Sequence, residues 1–81
     1  MESVVTLRLF AQARESAGTS SVELDGATVR DVLDEAKRRF GDPFGEVLAS
    51  SNVWLNGSPV EGEAEVADGD EVAVLPPVSG G

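Results

Sequence analysis

The order of strand-like and helical segments predicts a mixed α+β domain, in which one main helix lies across one face of a four- or five-stranded sheet. Two patterns carry this prediction. Several short segments alternate apolar and polar residues, as half-buried strands require, whereas residues 29–40 repeat their apolar positions at helical spacing. The length of 81 residues leaves room for one small core, so we expect a single domain.

The first strand is predicted at residues 4–10, and three of its apolar residues alternate onto one face: Val5, Leu7 and Leu9. Because successive side chains of a strand alternate between its two faces, Phe10 at the end of the strand points to the opposite face. A short helix is predicted over 11–17, with Gly18 placed to end it. A second, short strand follows at 21–24.

The strongest helix signal begins at Thr28, a capping hydroxyl with Asp31 three residues later. Its apolar face consists of Val29, Val32, Leu33, Ala36 and Phe40. Gly41 and Pro43 end the helix. Its other face offers three i,i+4 ion pairs: Arg30/Asp34, Asp34/Arg38 and Glu35/Arg39. One further apolar turn is expected at Phe44, Val47 and Leu48.

The second half of the sequence predicts two more strands and a short return strand of a hairpin. A strand at 53–55 runs into Asn56-Gly57, a strong hairpin signal, and Val60 lies on the return. A turn at 68–70 leads into the last strand, 71–75. Two prolines, which cannot donate to a ladder, stop that strand. A helix across such a mixed sheet is the β-grasp, or ubiquitin-like, arrangement.

The composition excludes most catalytic chemistry. Without cysteine there is no disulfide, thiolate metal site or cysteine nucleophile, and without histidine the commonest general base is missing. The carboxylates of Asp68, Asp70 and Glu71 fail the EF-hand spacing and are interpreted as a turn, so no metal is expected. No apolar run approaches the ~18 residues of a membrane span, and the acidic start is no signal peptide, which predicts a cytoplasmic protein without a membrane partner.

The charge is unevenly distributed along the chain. Residues 1–40 carry seven acidic and six basic residues, a net charge of −1, whereas residues 41–81 carry eight acidic and no basic residues, a net charge of −8. Nucleic acid is therefore a poor partner, and a basic cleft on a protein is a suitable one. Solubility, or adaptation to high salt, would explain the same charges.

The last six residues form the most informative segment. We predict a β-grasp domain over 1–75 and an extended, flexible tail over 76–81, in which Pro76 and Pro77 direct the chain away from the sheet. Gly80 and Gly81 have no Cβ and suit a narrow channel. A frayed end or a cloning remnant is the alternative. The reactive group at the tip is the α-carboxylate of Gly81, which becomes an electrophile once activated, for example as an acyl adenylate made from ATP.

Four blocks together resemble one family over the whole length of the chain. They are residues 9–15 with Gly18, residues 53–57, residues 68–72, and the ending Leu75-Pro76-Pro77-Val78-Ser79-Gly80-Gly81. The chain resembles the MoaD-type sulfur carriers, the small subunits of molybdopterin synthase.

The resemblance implies a carrier and not an enzyme. In that family an E1-like (MoeB-like) enzyme uses ATP to adenylate the terminal glycine, here Gly81, which then becomes a thiocarboxylate. The tail, here Pro76, Pro77, Val78, Ser79, Gly80 and Gly81, enters the large synthase subunit (MoaE-like) and gives sulfur to the dithiolene of the molybdenum cofactor. The two subunits form a heterotetramer, and the small subunit has no catalytic side chain and binds no cofactor itself.

A docking patch is expected beside the tail. Strand parity leaves Phe10 and Leu75 on the open face of the first and last strands, which are neighbours in a β-grasp sheet. The resemblance points to the same two positions and to Pro59 as a surface that the large subunit and the E1-like enzyme bury. The alternative is that a loop or the helix at 11–17 covers them.

Two other functions begin with the same activated carboxylate. Ubiquitin-like modifiers of archaeal type share the tail and are attached to lysines through it. A carrier for another pathway, such as thiamine, cysteine or tRNA thiolation, is the other alternative. The sequence does not separate them.

Overall fold

Five strands form one mixed sheet in the computed structural model, which describes residues 2–77. They are β1 (Ser3–Leu9), β2 (Ser21–Gly26), β3 (Asn52–Leu55), β4 (Ser58–Pro59) and β5 (Glu71–Leu75). The strand order is β2-β1-β5-β3-β4. β1 and β5 run parallel at the centre, and the other neighbours are antiparallel. The predicted mixed sheet is confirmed, with five strands.

Three helices connect these strands: α1 (Ala11–Ala17), α2 (Val29–Phe40) and α3 (Asp42–Ala49). Gly18 ends α1 with a left-handed φ of 78°. A capping box begins α2, because Thr28 accepts from the Asp31 N–H while the Asp31 carboxylate accepts from the Thr28 N–H. No helix among the described residues is long and apolar enough to cross a membrane.

The core lies between the helices and one face of the sheet. The strands contribute Val5, Leu7, Leu9, Leu24, Val72 and Val74, and the helices contribute Ala13, Val29, Val32, Ala36 and Phe44. Phe44 is the largest of the fully buried side chains, and its ring meets that of Phe40 edge-on at 5.3 Å between centroids. Because all three helices pack on this face, the other face of the sheet remains open.

Three local predictions need correction. The ion pairs of α2 join Asp34 to Lys37 and Glu35 to Arg38 at i,i+3, and Arg30 reaches the loop residue Glu63, so the expected i,i+4 pairs are wrong. The single turn expected around Phe44 is an eight-residue helix, with Pro43 in its first turn, where a missing N–H is tolerated. Val60 lies beyond the return strand, although its N–H still donates to the Val53 carbonyl at 3.2 Å.

The acidic segment before β5 is a turn held by its own carboxylates. Asp70 accepts from the Ala67 N–H at 2.8 Å and from Asn56 Nδ2 at 3.1 Å. Asn56 Oδ1 in turn accepts from the Glu71 N–H at 2.9 Å. The network ties the β3–β4 hairpin to the start of β5, which matches the interpretation of this segment as a turn.

The same network predicts a pH dependence of stability. The hydrogen bond from the Ala67 N–H, followed by that from Asn56, lowers the pKa of Asp70 below its usual value. A carboxyl with a lowered folded-state pKa stabilises the fold above its unfolded pKa of about 3.9, and this contribution disappears as pH falls through the folded pKa. We therefore expect Asp70→Asn to be less stable than wild type near neutral pH, with the difference shrinking in acid. Urea unfolding at a series of pH values measures it, and a difference that stays constant would contradict this account.

Candidate functional site

The end of β5 positions the start of the tail. Leu75 is half-buried, Pro76 is buried and Pro77 is exposed. Pro76 thus still packs against the fold, and the chain reaches solvent one residue later. The other predicted tail residues, Val78, Ser79, Gly80 and Gly81, lie outside the described residues. Their role, and the division into a domain over 1–75 and a tail over 76–81, stay predictions.

Two predicted docking residues lie beside this exit, Phe10 just after β1 and Leu75 at the end of β5. β1 and β5 run parallel with Leu9 opposite Val74, and Phe10 continues the extended backbone with φ −126° and ψ 153°. One more step in this register places Phe10 beside Leu75 on the open face. The Phe10 side chain is 40% exposed, because α1 turns to the core side, where it buries Ala13. Phe10 is therefore available for contact, as strand parity predicts.

The third predicted docking residue, Pro59, lies next to Trp54, an exposed aromatic residue that sequence reasoning missed. Trp54 is opposite Pro59 in β4 and opposite Ala73 in β5, and it is 37% exposed. The signal was available, because Val53 and Leu55 pack towards the core and alternation places Trp54 on the open face. Apolar residues of three strands, together with Phe10 just after β1, thus share this face: Phe10, Ala73, Leu75, Trp54 and Pro59. The docking role predicted for Phe10, Leu75 and Pro59 stays a prediction.

Charged residues border the apolar residues on the β1–β2 side. Arg8 Nη1 lies 3.5 Å from Glu71 Oε2, and the Arg8 guanidinium carbon lies 6.0 Å from the centre of the Phe10 ring. Such an exposed cation–π contact contributes about 0.5–1 kcal/mol. The register with β1 also places Glu23 and Asp25 on the open face. The border is therefore mainly acidic, with one arginine.

This surface has features that suit contact with a partner protein. Over residues 2–77 no group of carboxylates is arranged to hold a metal ion, and every buried side-chain polar atom has a hydrogen-bond partner. The arrangement combines an exposed apolar surface, an acidic border and an adjoining chain exit. It is suited to recognition by another protein.

Comparisons with known proteins identify the family. The ThiS family profile matches residues 7–81. The chain is 44% identical to small archaeal modifier protein 1 of Haloferax volcanii, over 91% of this chain and 97% of the relative. It is 35% identical to the molybdopterin synthase sulfur carrier subunit of Arabidopsis thaliana, over 95% of this chain and 82% of the relative.

Solved structures agree with the sequence matches. The solution structure of small archaeal modifier protein 1 from Methanosarcina acetivorans superimposes with a TM-score of 0.88 at 33% identity, covering 100% of this chain and 99% of that one. A chain of the Amycolatopsis orientalis BexX/CysO complex gives a TM-score of 0.81 at 33% identity, covering 95% and 99%. Sulfur carriers of this family thus form complexes with partner proteins. The resemblance found in the sequence and the β-grasp fold are both confirmed: the chain belongs to the ThiS family of ubiquitin-like sulfur carriers, small non-catalytic proteins that serve a partner enzyme.

Proposed function

We propose that this protein is the cytoplasmic sulfur carrier of molybdenum cofactor biosynthesis, with Gly81 as the residue that carries sulfur. The observation that carries the proposal is the extent of the family match, which runs through residue 81 and so includes both final glycines. The proposal requires Gly81 to be the C-terminal residue of the working protein. The ending Pro76 to Gly81 and the relative that serves molybdopterin synthase support this pathway.

The chemistry proceeds in two steps, the first at the α-phosphorus of ATP and the second at the carbonyl carbon of Gly81. A carboxylate oxygen of Gly81 attacks the α-phosphorus of ATP in a MoeB-like E1 enzyme, and pyrophosphate leaves. Hydrosulfide then attacks the acyl carbon, the bond from that carbon to the AMP oxygen breaks and AMP leaves, which gives a thiocarboxylate. This protein supplies the acyl group and the recognition surface, and it binds neither ATP nor any other cofactor itself.

The carrier then delivers its sulfur to a second partner. The tail enters a MoaE-like large subunit, in a heterotetramer of two carriers and two large subunits, and the thiocarboxylate sulfur becomes part of the dithiolene. Each partner must accommodate a negatively charged tail tip, so we expect Lys or Arg in each active-site channel.

A protein modifier is the second candidate function, and the names of two relatives favour it. The Haloferax volcanii and Methanosarcina acetivorans proteins are both named small archaeal modifier protein 1. In this case a lysine ε-amine would attack the activated Gly81 carbonyl and AMP would leave, giving an isopeptide bond. A carrier for thiamine, cysteine or tRNA thiolation would share the activation step and differ in its acceptor.

Affinity capture from the native cells separates these functions. Tagged at its N-terminus, the protein should recover the large synthase subunit, and mass spectrometry identifies it. Recovery of lysine conjugates that carry the C-terminal peptide of this chain joined through Gly81, without that subunit, would establish the modifier and contradict the molybdopterin role. A variant lacking Gly80 and Gly81 is the control, because it keeps the open face and removes the chemistry.

The acidic second half predicts that association with these partners depends on salt. A net charge of −8 on residues 41–81 attracts a basic cleft over a distance that salt shortens to about 8 Å at physiological ionic strength. We expect the association rate constant to fall about tenfold or more between low and high salt, while the dissociation rate constant changes less. Stopped-flow mixing with the E1-like enzyme measures both. An association rate that does not respond to salt would leave these charges with a role in solubility alone.

A further inference from the structure

β2 lies at one end of the sheet and has a neighbouring strand on one side only. That neighbour is β1, and none of residues 2–77 forms a strand on the other side. Successive residues of a strand turn their backbone groups to opposite sides. The Leu9 N–H donates to the Ser20 carbonyl at 2.9 Å, on the β2 side. The Thr6 N–H donates to the Asp70 carbonyl at 2.9 Å, on the β5 side. Odd-numbered residues of β1 therefore bond towards β2.

Glu23 and Asp25 turn their backbone groups away from the sheet. The residues that precede them are opposite odd-numbered residues of β1 and bond to that strand. Within residues 2–77 the N–H and the carbonyl of Glu23 and Asp25 have no hydrogen-bond partner. At Ser21 the Thr19 hydroxyl occupies both groups, since it donates to the carbonyl at 2.9 Å and accepts from the N–H at 3.4 Å. The unpaired edge thus offers two donors and two acceptors.

A groove of about 440 Å³ lies between this edge and α2. Six carboxylates line it, together with the guanidinium groups of Arg38 and Arg39. Three of the carboxylates belong to α2 and are engaged in its capping box or in ion pairs within the helix. The other three, Glu2, Glu23 and Asp25, form no ion pair in the part of the chain that the structure describes. The edge is therefore bordered by uncompensated negative charge.

We propose that the outer edge of β2 binds an extended, basic segment of a partner protein as an added antiparallel strand, with Lys or Arg of that segment opposite Glu23 and Asp25. The unpaired backbone groups supply the hydrogen bonds, and the carboxylates select the charge of the occupant. Residues directly opposite in neighbouring strands stand about 5 Å apart at Cβ on the same face, which allows an ion pair. A second copy of this chain is a poor occupant, because two such edges would bring like charges together.

The proposed strand leaves the exit of the tail uncovered. Asp25 is opposite Val4, near the end of the sheet at which β5 begins, whereas Leu75 ends β5 at the opposite end. A partner segment at Glu23 and Asp25 can hold the protein while the tail is engaged elsewhere. The inference thus goes beyond the proposed function and does not depend on it.

Three synthetic peptides test the pairing by their backbone alone. The first is acetyl-Thr-Lys-Val-Lys-Val-Lys-Thr-amide, and the others are the same peptide N-methylated at its last two lysines or at its two valines. In an antiparallel pair the residues opposite Glu23 and Asp25 turn their N–H groups to β2, so only methylation of the lysines removes these bonds. All three peptides carry the same charge. The lysine-methylated peptide should bind at least about tenfold more weakly than the other two.

Titration of the ¹⁵N-labelled protein measures these affinities and locates the site. We expect the amide resonances of Glu23 and Asp25 to shift most, because each N–H gains an acceptor. Binding of the valine-methylated peptide should produce the same shifts.

A double variant tests the contribution of charge. Glu23→Gln with Asp25→Asn keeps the backbone and should raise the dissociation constant of the unmodified peptide about threefold or more. The matched control is Glu15→Gln with Glu46→Gln, which changes the net charge equally at exposed positions of α1 and α3 outside the groove. It should change the dissociation constant less than about twofold. Thermal unfolding checks the fold, and if the first variant does not fold, the peptides with wild type still decide the outcome.

Four results would overturn the proposal. Equal affinity of the three peptides, or unmoved Glu23 and Asp25 amides, would mean that charge alone attracts the peptide. Absence of binding at millimolar peptide would exclude a basic segment. Selective loss with the valine-methylated peptide would contradict antiparallel pairing. Shifts of the same amides that grow with protein concentration alone would identify a second copy as the occupant. None of these results concerns activation of Gly81, so the proposed function is tested separately.

Discussion

Deletion of Gly81, or addition of one residue after it, should reduce activation by the E1-like enzyme below detection. Both changes move or replace the only carboxylate that the proposed chemistry uses. The described fold ends its packing at Pro76, so the free energy of unfolding should stay within about 0.5 kcal/mol of wild type. ATP–pyrophosphate exchange measures activation, and urea unfolding measures stability.

The matched control is Ser79→Ala, which keeps the length of the tail and both final glycines. It should be activated at a rate close to that of wild type. An extended protein that is activated without first being trimmed back to Gly81 would show that activation does not require the carboxylate of Gly81.

Phe44→Ala should cause the largest loss of stability among the phenylalanine variants. Phe44 is fully buried and packs edge-on against Phe40 at 5.3 Å. Truncating such a side chain removes its burial and leaves a cavity, and it costs about 3–5 kcal/mol. That is a large part of the ~5–15 kcal/mol that holds a typical domain folded. Urea unfolding followed by circular dichroism measures the change.

The chain provides its own graded controls for this prediction. Phe10→Ala makes the same chemical change at a side chain that is 40% exposed, and it should cost less than about 1 kcal/mol. Phe40→Ala should lie between the two. Equal losses for Phe44 and Phe10 would mean that α3 does not close the core as described.

Periodicity predicted the parts of the fold that local rules control. Alternation placed Val5, Leu7 and Leu9 in the core and left Phe10 exposed, because successive side chains of a strand take opposite faces. Thr28 with Asp31 predicted the start of α2, since the capping box is a contact between near neighbours in the sequence.

The errors arose where distant contacts decide the outcome. Arg30 pairs with Glu63, 33 residues away, and no helical spacing reveals that partner. α3 was underestimated because Pro43 and Gly45 lower its helix propensity, whereas burial of Phe44 against the core stabilises it.

The candidate site was predicted in part. Parity located Phe10 and Leu75, but Trp54 was treated only as a residue of a strand. Its importance follows from the strand order, which places it between Pro59 and Ala73. The pairing of β3 with β5 joins segments about twenty residues apart and follows from tertiary packing, so the shared position of these side chains is visible only in the folded sheet.

The central claim is that Gly81 carries sulfur, and one measurement tests it most directly. The protein is purified from its native cells during active sulfur transfer, and its intact mass and tandem fragments are determined. We predict a fraction of molecules heavier by the difference between one sulfur and one oxygen atom, with the added mass confined to the C-terminal fragment that contains Gly81. A sulfur located on any other residue, or a mature chain that does not end at Gly81, would contradict the account.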